Sequence, residues 1–279
     1  MQAMVRGLGQ VVFLPGRLSG ALVLVGLAWA SGWVALAAAG GALGGAVTAR
    51  ALRRPATEIA AGLWGFNGAL VALAVPIRGP GSALAALLGA AATVPVGMGL
   101  GAAARRVGLA AYTLPFIGVT WAVWWVVPPG LGGAGAGDVW SAGVLGLAQV
   151  FLVEQVATGW WVVAALAAGG WRRAVLGMWG ALVGVAVGLA WGEEAAAMRG
   201  LFSFSGALTA LAVGGVGRGV WATVGAALAS ASTPVVAGVL ARVGLPALTL
   251  PFVLATWAVQ LGLRGWTGWR VRSKMRAGR

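Results

Sequence analysis

Residues 18–49 and 79–104 carry no charged side chain at all. A run of about 20 apolar residues in a helix spans the roughly 30 Å hydrocarbon core of a bilayer, so stretches of this kind limit the chain to very few architectures. Elsewhere charge is nearly as scarce: 60% of the 279 residues are hydrophobic and 9% are charged. Water-soluble domains run near 45–50% apolar and about 25% charged, so this chain has too little polar surface to cover a globule in water. Its apolar segments are of helical length rather than the alternating, roughly ten-residue strands of a membrane barrel. The expected fold class is an all-α polytopic membrane protein.

Ten apolar spans are expected, near 20–31, 33–49, 59–77, 82–103, 110–127, 158–169, 174–190, 198–214, 219–240 and 248–263. Two further apolar stretches, 4–14 and 143–153, are too short to cross and read as re-entrant half-helices. With ten crossings, one face receives Arg6, Arg17, Arg50, Arg53, Arg54, Arg105, Arg106, Arg172, Arg173, Arg218 and the tail from Arg264 to Arg279. The other receives Arg78, Arg199 and Arg242, which makes sixteen cations against three. The positive-inside rule then puts both termini in the cytoplasm. The net charge of +14 is thereby a topology signal facing anionic headgroups, and nucleic acid is not an expected partner. The first 20 residues, broken by Gly, Pro and Arg, do not form a secretory signal peptide.

The chain also repeats itself. "YTLPFIGVTW" at 112–121 returns as "LTLPFVLATW" at 248–257, and "GLWGFNGALVALAV" at 62–75 returns as "GLFSFSGALTALAV" at 200–213, identical at ten of fourteen positions. Gln10-Val11 returns as Gln149-Val150, Pro95 as Pro234, and "RVGL" at 106–109 as "RVGL" at 242–245, all at offsets of 136 to 139. The glycine-rich stretch at 128–138 reads as a linker between residues 1–135 and 136–279. Each half holds five spans, an odd number, so the second enters the membrane from the opposite face. The expected layout is an inverted repeat of two five-helix halves, each with a re-entrant pore helix, about an axis in the membrane plane, with a solute site near the midplane.

The paired motifs are therefore the candidate site. An uncharged amide such as Gln10 or Gln149 offers an acceptor and a donor, and in hydrocarbon it needs a protein partner or a solute. Thr113 and Thr249 precede Leu-Pro, where proline frees a carbonyl one turn upstream and a hydroxyl can satisfy it or face a lumen. The "GFNG" and "SFSG" stretches read first as close helix packing, with Leu70 and Leu208 as pore wall or core. Five acidic residues (Glu58, Asp138, Glu154, Glu193 and Glu194) fall at span ends or in linkers, and the chain has no histidine and no cysteine. Ion-coupled carriers usually keep an ionisable group in the membrane, so a passive path for a neutral solute is expected. No metal cluster, no nucleophile–base constellation and no cofactor fingerprint is present in the sequence, which argues against an enzyme and against any cofactor.

Together, the paired Gln-Val stretches with a nearby Phe, "GLWGFNGAL" and the two "TLPF" motifs resemble the urea transporter family over essentially the whole chain. The resemblance implies a bacterial member in the inner (plasma) membrane, a homotrimer in which each protomer has its own narrow pore, and passive, channel-like transport of urea down its gradient. It implies that Gln10 and Gln149 accept hydrogen bonds from urea, and that Phe13 with Val150 sandwiches the flat solute at one end. Val11 with a partner from the second half would do so at the other end. Thr113 and Thr249 would line the constriction, with Leu70, Leu114, Leu208 and Leu250 as apolar walls. Phe151 stands one place out of register with Phe13, so either Leu152 serves as the second platform or a bulge brings Phe151 round. A channel for ammonia, water or short amides, and an ion-coupled carrier, are the alternatives.

Overall fold

The computed structural model describes residues 1–76, 78–127, 135–214 and 219–277, with side chains described as far as Arg264. Most of the expected linker, the cation Arg218 and the side chains of the basic tail beyond Arg264 lie outside the described residues.

Among the described residues the chain forms fourteen helices and no strand. The first seven are α1 (Gln2–Gln10), α2 (Arg17–Ala30), α3 (Gly32–Ala51), α4 (Ala56–Ala60), α5 (Phe66–Ala74), α6 (Pro80–Arg106) and α7 (Leu114–Trp124). The next seven follow, the first six of them in the same order of short and long: α8 (Val139–Gln149), α9 (Val156–Ala168), α10 (Trp171–Ala190), α11 (Glu194–Met198), α12 (Ser203–Gly214), α13 (Gly219–Ala241) and α14 (Leu250–Ala277). Four of them (α3, α6, α10 and α13) are long and apolar enough to cross a bilayer by length and composition. These features are those of a polytopic membrane protein.

Two expected spans are interrupted. The stretch 59–77 breaks between α4 and α5, where Gly62 has φ +81°, and 198–214 breaks between α11 and α12, where Gly200 has φ +76°. These left-handed conformations are open to glycine and strained for other residues. The 110–127 stretch gives only the eleven-residue α7, entered through Tyr112 at φ +47°. At 1.5 Å per residue α7 is about 16 Å long, half the apolar thickness of a bilayer.

Backbone irregularities recur at matched positions. Left-handed residues fall at Phe13 and Leu152, Arg53 and Gly192, Gly62 and Gly200, Gly108 and Gly244, and Tyr112 and Leu248. Within the membrane, lipid tails are as apolar as leucine, so helices associate through close packing of small residues rather than by expelling water. That packing is visible where α3 meets α5: a Cβ at Gly41 would lie 2.3 Å from the Gly68 carbonyl oxygen. Where α10 meets α12, a Cβ at Gly180 would lie 2.5 Å from the Gly206 carbonyl oxygen. The glycines of "GFNG" and "SFSG" thus seat two helices backbone to backbone. Helices α2 and α9 also touch closely, Thr158 Oγ1 donating to the Gly26 carbonyl at 3.0 Å.

Candidate functional site

Thr113 and Thr249, 136 residues apart, meet: their Oγ1 atoms are 2.7 Å from each other, and both residues are buried. Two contacts flank this pair in swapped positions. Trp121 Nε1 donates to the Pro246 carbonyl at 2.9 Å, and Trp257 Nε1 donates to the Ala110 carbonyl at 2.8 Å. Each indole and each carbonyl of one contact corresponds, 136 residues on or back, to its counterpart in the other. Reciprocity of this kind is what a twofold relation produces: if i touches j, then the equivalent of j touches the equivalent of i.

The threonines reach each other because neither chain entry is a regular helix. Thr113 occupies the N-cap of α7, yet its side chain makes no cap bond to its own helix. The first-turn N–H groups find other acceptors. Leu114 N donates to the Ala111 carbonyl at 3.0 Å, Pro115 has no N–H, Phe116 N donates to Asn67 Oδ1 at 3.2 Å, and Ile117 N donates to the Thr113 carbonyl at 3.0 Å. Asn67 also donates through Nδ2 to the Tyr112 carbonyl at 3.3 Å. Its one amide therefore ties both sides of Thr113.

Gln10 and Gln149 end α1 and α8 in matching turns, Phe13 N donating to the Gln10 carbonyl at 3.0 Å and Leu152 N to the Gln149 carbonyl at 2.9 Å. Gln10 Nε2 donates to the Ala61 carbonyl at 2.9 Å, and Gln149 Nε2 donates to the Arg199 carbonyl at 3.1 Å and to Glu154 Oε1 at 3.3 Å. Each amide nitrogen thus donates to a backbone carbonyl about 50 residues away in sequence, Ala61 and Arg199 being matched at an offset of 138. Arg199 Nη2 holds Glu154 Oε1 at 2.9 Å, so the carboxylate beside Gln149 is ion-paired, not isolated.

Phe13 lies against Tyr112 and Phe252, with ring centroids 6.1 Å away in each case, and the Tyr112 and Phe252 rings are 5.4 Å apart. This places an aromatic wall beside the threonine pair, because Tyr112 precedes Thr113 and Phe252 follows Thr249 by one turn. The Phe13 backbone is pinned in turn by Arg173, whose Nη1 donates to its carbonyl at 3.0 Å. Leu152, not Phe151, shares the left-handed backbone position of Phe13; Leu152 is exposed, whereas Phe151 is fully buried in the core. Val11, Val150, Leu70 and Leu208 are buried in that same core, and Leu114 and Leu250 pack partly buried against it.

Several residues of this site carry no pairing signal in the sequence. Tyr112, the only tyrosine, bonds through its hydroxyl to Gln260 Nε2 at 2.6 Å, yet its counterpart is Leu248. Asn67 faces Ser205, and Gln260 faces Trp124. The Trp121–Trp257 pair was within reach, since both indoles follow the repeated "TLPF" at equal spacing.

The urea transporter family model matches residues 1–264. Urea transporter 1 of Ovis aries is 27% identical over 299 aligned positions, covering 90% of this chain and 74% of that protein. Urea transporter 1 of Capra hircus matches to the same extent. Urea transporter 1 of Mus musculus is 39% identical over 77 residues, 28% of this chain and 20% of that protein. With the family model matched from the first residue to α14, the chain belongs to the urea transporter family, a family of transporters rather than enzymes.

Proposed function

We propose that this chain conducts urea passively across the membrane, and that the Thr113–Thr249 pair is the narrowest polar point of the path. The observation that carries the reading is the hydroxyl–hydroxyl contact itself, flanked by the reciprocal Trp121–Pro246 and Trp257–Ala110 bonds. Those contacts support an inverted repeat of residues 1–135 and 136–279 about an axis through the threonine pair. The matched left-handed residues and the parallel order of helices support it as well.

Urea is planar and neutral, with four N–H donors and one carbonyl acceptor. The acceptors it would meet are Gln10 Oε1, the two threonine hydroxyls and Gln149 Oε1. Phe13 offers a flat face on one side, and Leu152 takes that place on the other, in preference to Phe151. Val11, Val150, Leu70, Leu114, Leu208 and Leu250 form the apolar backing. Between solutes the threonines satisfy each other, so an entering urea exchanges one hydrogen bond for its own rather than desolvating a bare group. An ion would find no charge there to replace its hydration shell. Weak binding at successive positions keeps flux high, since a deep well would hold the solute. The layout proposed is ten spans and two re-entrant helices, both termini cytoplasmic in the inner (plasma) membrane, assembled as a homotrimer with one path per protomer.

Stopped-flow urea efflux from proteoliposomes tests the reading. Thr113→Val and Thr249→Val should each slow urea by roughly fivefold, the worth of one hydrogen bond of about 1 kcal/mol. Unchanged flux in both would remove the threonines from the path. Efflux that follows an imposed proton or sodium gradient would refute passive transport. A monomeric mass for the detergent-solubilised protein would refute the trimer, and protease cleavage of an N-terminal tag from the outside of intact cells would refute the orientation.

A further inference from the structure

Asn67 belongs to a motif that read as helix packing alone, yet its side chain has a task that packing does not explain. A threonine at an N-cap ordinarily turns its hydroxyl back to accept from the third N–H of its own helix. For Thr113 that donor is Phe116 N–H, and Asn67 Oδ1 already holds it at 3.2 Å. The cap of α7 is thus supplied from α5, while the Thr113 backbone, at φ −94° and ψ 10°, lies outside the extended region of a self-capping residue and its hydroxyl faces Thr249. At the same time Asn67 Nδ2 holds the Tyr112 carbonyl at 3.3 Å, which keeps the left-handed Tyr112 in place at φ +47°.

The Tyr112 ring packs on Phe13 and Phe252, but open space lies beside the segment that carries it. A cavity of about 320 Å³ lined by Asn67, Tyr112 and Pro115 lies on one side of it, and another of about 520 Å³ lined by Tyr112, Gln260 and Arg264 lies on the other. Loss of the two amide bonds would leave the turn into Thr113 with room to move beside those cavities. The second half lacks the device. Ser205 stands at the position of Asn67, is fully buried, and its Oγ has no hydrogen-bond partner, so it does not take the matching N–H of Phe252.

We propose that Asn67 is the positioning residue of the constriction: its amide takes the Phe116 N–H and the Tyr112 carbonyl, and so holds the Thr113 hydroxyl between them in register with Thr249 on the solute path. The inference rests on the reading of the threonine pair as the constriction, and it concerns the first half only.

The test is a coupling measurement of urea permeability in proteoliposomes, made on Asn67→Ala, Thr113→Val and the double variant. Asn67→Ala should lower urea permeability on the order of fivefold, the population shift that one helix cap commands. In the Thr113→Val background the same change should have no further effect, because the hydroxyl it would misdirect is already gone. Asn67→Ser, the residue carried at the matching place in the second half, is the milder variant and should show the same coupling. Unchanged permeability in Asn67→Ala overturns the inference, as does an effect that multiplies with that of Thr113→Val. Loss of folded protein in both Asn67 variants also overturns it, since the residue would then serve the fold as a whole. If Thr113→Val and Thr249→Val leave flux intact, the constriction itself is wrong; if they slow flux while Asn67 stays uncoupled, only this inference falls.

Discussion

Replacing Gly41 or Gly180 by alanine probes the contact that seats α5 on α3 and α12 on α10. An added Cβ at Gly41 would lie 2.3 Å from the Gly68 carbonyl oxygen and 2.6 Å from the Ala72 Cβ. At Gly180 the same atom would lie 2.5 Å from the Gly206 carbonyl oxygen and 2.6 Å from the Ala210 Cβ. A carbon and a carbonyl oxygen approach to about 3.3 Å at closest, so each helix pair must part by about 1 Å. The obstacle is backbone, which cannot swing aside as a side-chain tip would. Overpacking of this kind costs about 1–3 kcal/mol, offset by up to 1 kcal/mol from the better helix propensity of alanine. The net expectation is a loss of about 1–2 kcal/mol at each site. Gly118 in α7, whose Cβ would meet nothing within 4 Å, is the control, and Gly118→Ala should be neutral or slightly stabilising. Unfolding titrations in mixed micelles give the free energies. Gly41→Ala and Gly180→Ala should agree within about 0.5 kcal/mol and add in the double variant. A large cost at one site with none at the other would refute the equivalence of the two contacts; no cost at either would show that the helices part freely.

Two further predictions follow from particular side chains. Phe151→Ala should cost about 3–5 kcal/mol of stability, as for any large buried aromatic, while Leu152→Ala should leave stability nearly unchanged and alter urea permeability; the opposite pattern would restore Phe151 to the path. Asp138, fully exposed at the N-cap of α8, accepts from the Ser141 hydroxyl and from the Ser141 N–H at 3.0 Å, and these bonds hold its carboxyl below the usual carboxylate range. A depressed folded-state pKa contributes stability that is present above the unfolded value and lost as pH falls through the folded one. Amide exchange at Ser141 should therefore lose protection on acidification, beyond the change in intrinsic exchange rate, and Asp138→Ala should abolish that loss.

Hydropathy and repetition made the helical membrane class legible, and the motif offsets picked out Thr113 and Thr249, which meet. The motifs' legibility has a physical cause: a glycine in a backbone-to-backbone contact tolerates nothing larger, so the last position of "GFNG" and "SFSG", Gly68 and Gly206, is glycine in both. The breaks at Gly62 and Gly200 escaped notice because glycine counts as apolar in a span, while its left-handed conformation leaves no hydropathy trace. The left-handed backbone of Phe13 and Leu152 was equally hidden, since neither position carries the glycine that usually marks such a residue, although the offset of 139 already left Leu152 open as the second platform. Asn67 could not be assigned from sequence because its partners lie 45 and 49 residues away, on a loop whose path depends on those very bonds.

Four of the positions where the two halves differ lie together. Phe13 against Leu152, Tyr112 against Leu248, Asn67 against Ser205 and Gln260 against Trp124 share matching places in the fold. In the first-named members, Phe13 packs on Tyr112, Gln260 bonds to the Tyr112 hydroxyl, and Asn67 bonds to the Tyr112 carbonyl. All four differences thus gather around Tyr112, on the side of the threonine pair that α1 approaches. A solute meets side chains rather than the backbone that carries them. Two halves alike in glycine contacts and left-handed turns, but unlike around Tyr112, give the proposed path ends that differ: flat, aromatic and amide-braced at the α1 end, aliphatic beside an ion-paired carboxylate at the α8 end. For a passive path this asymmetry cannot bias the equilibrium distribution of urea. Its effect falls on how tightly each end holds a flat, donor-rich solute, and a planar competitor should therefore block from the α1 side at lower concentration than from the α8 side.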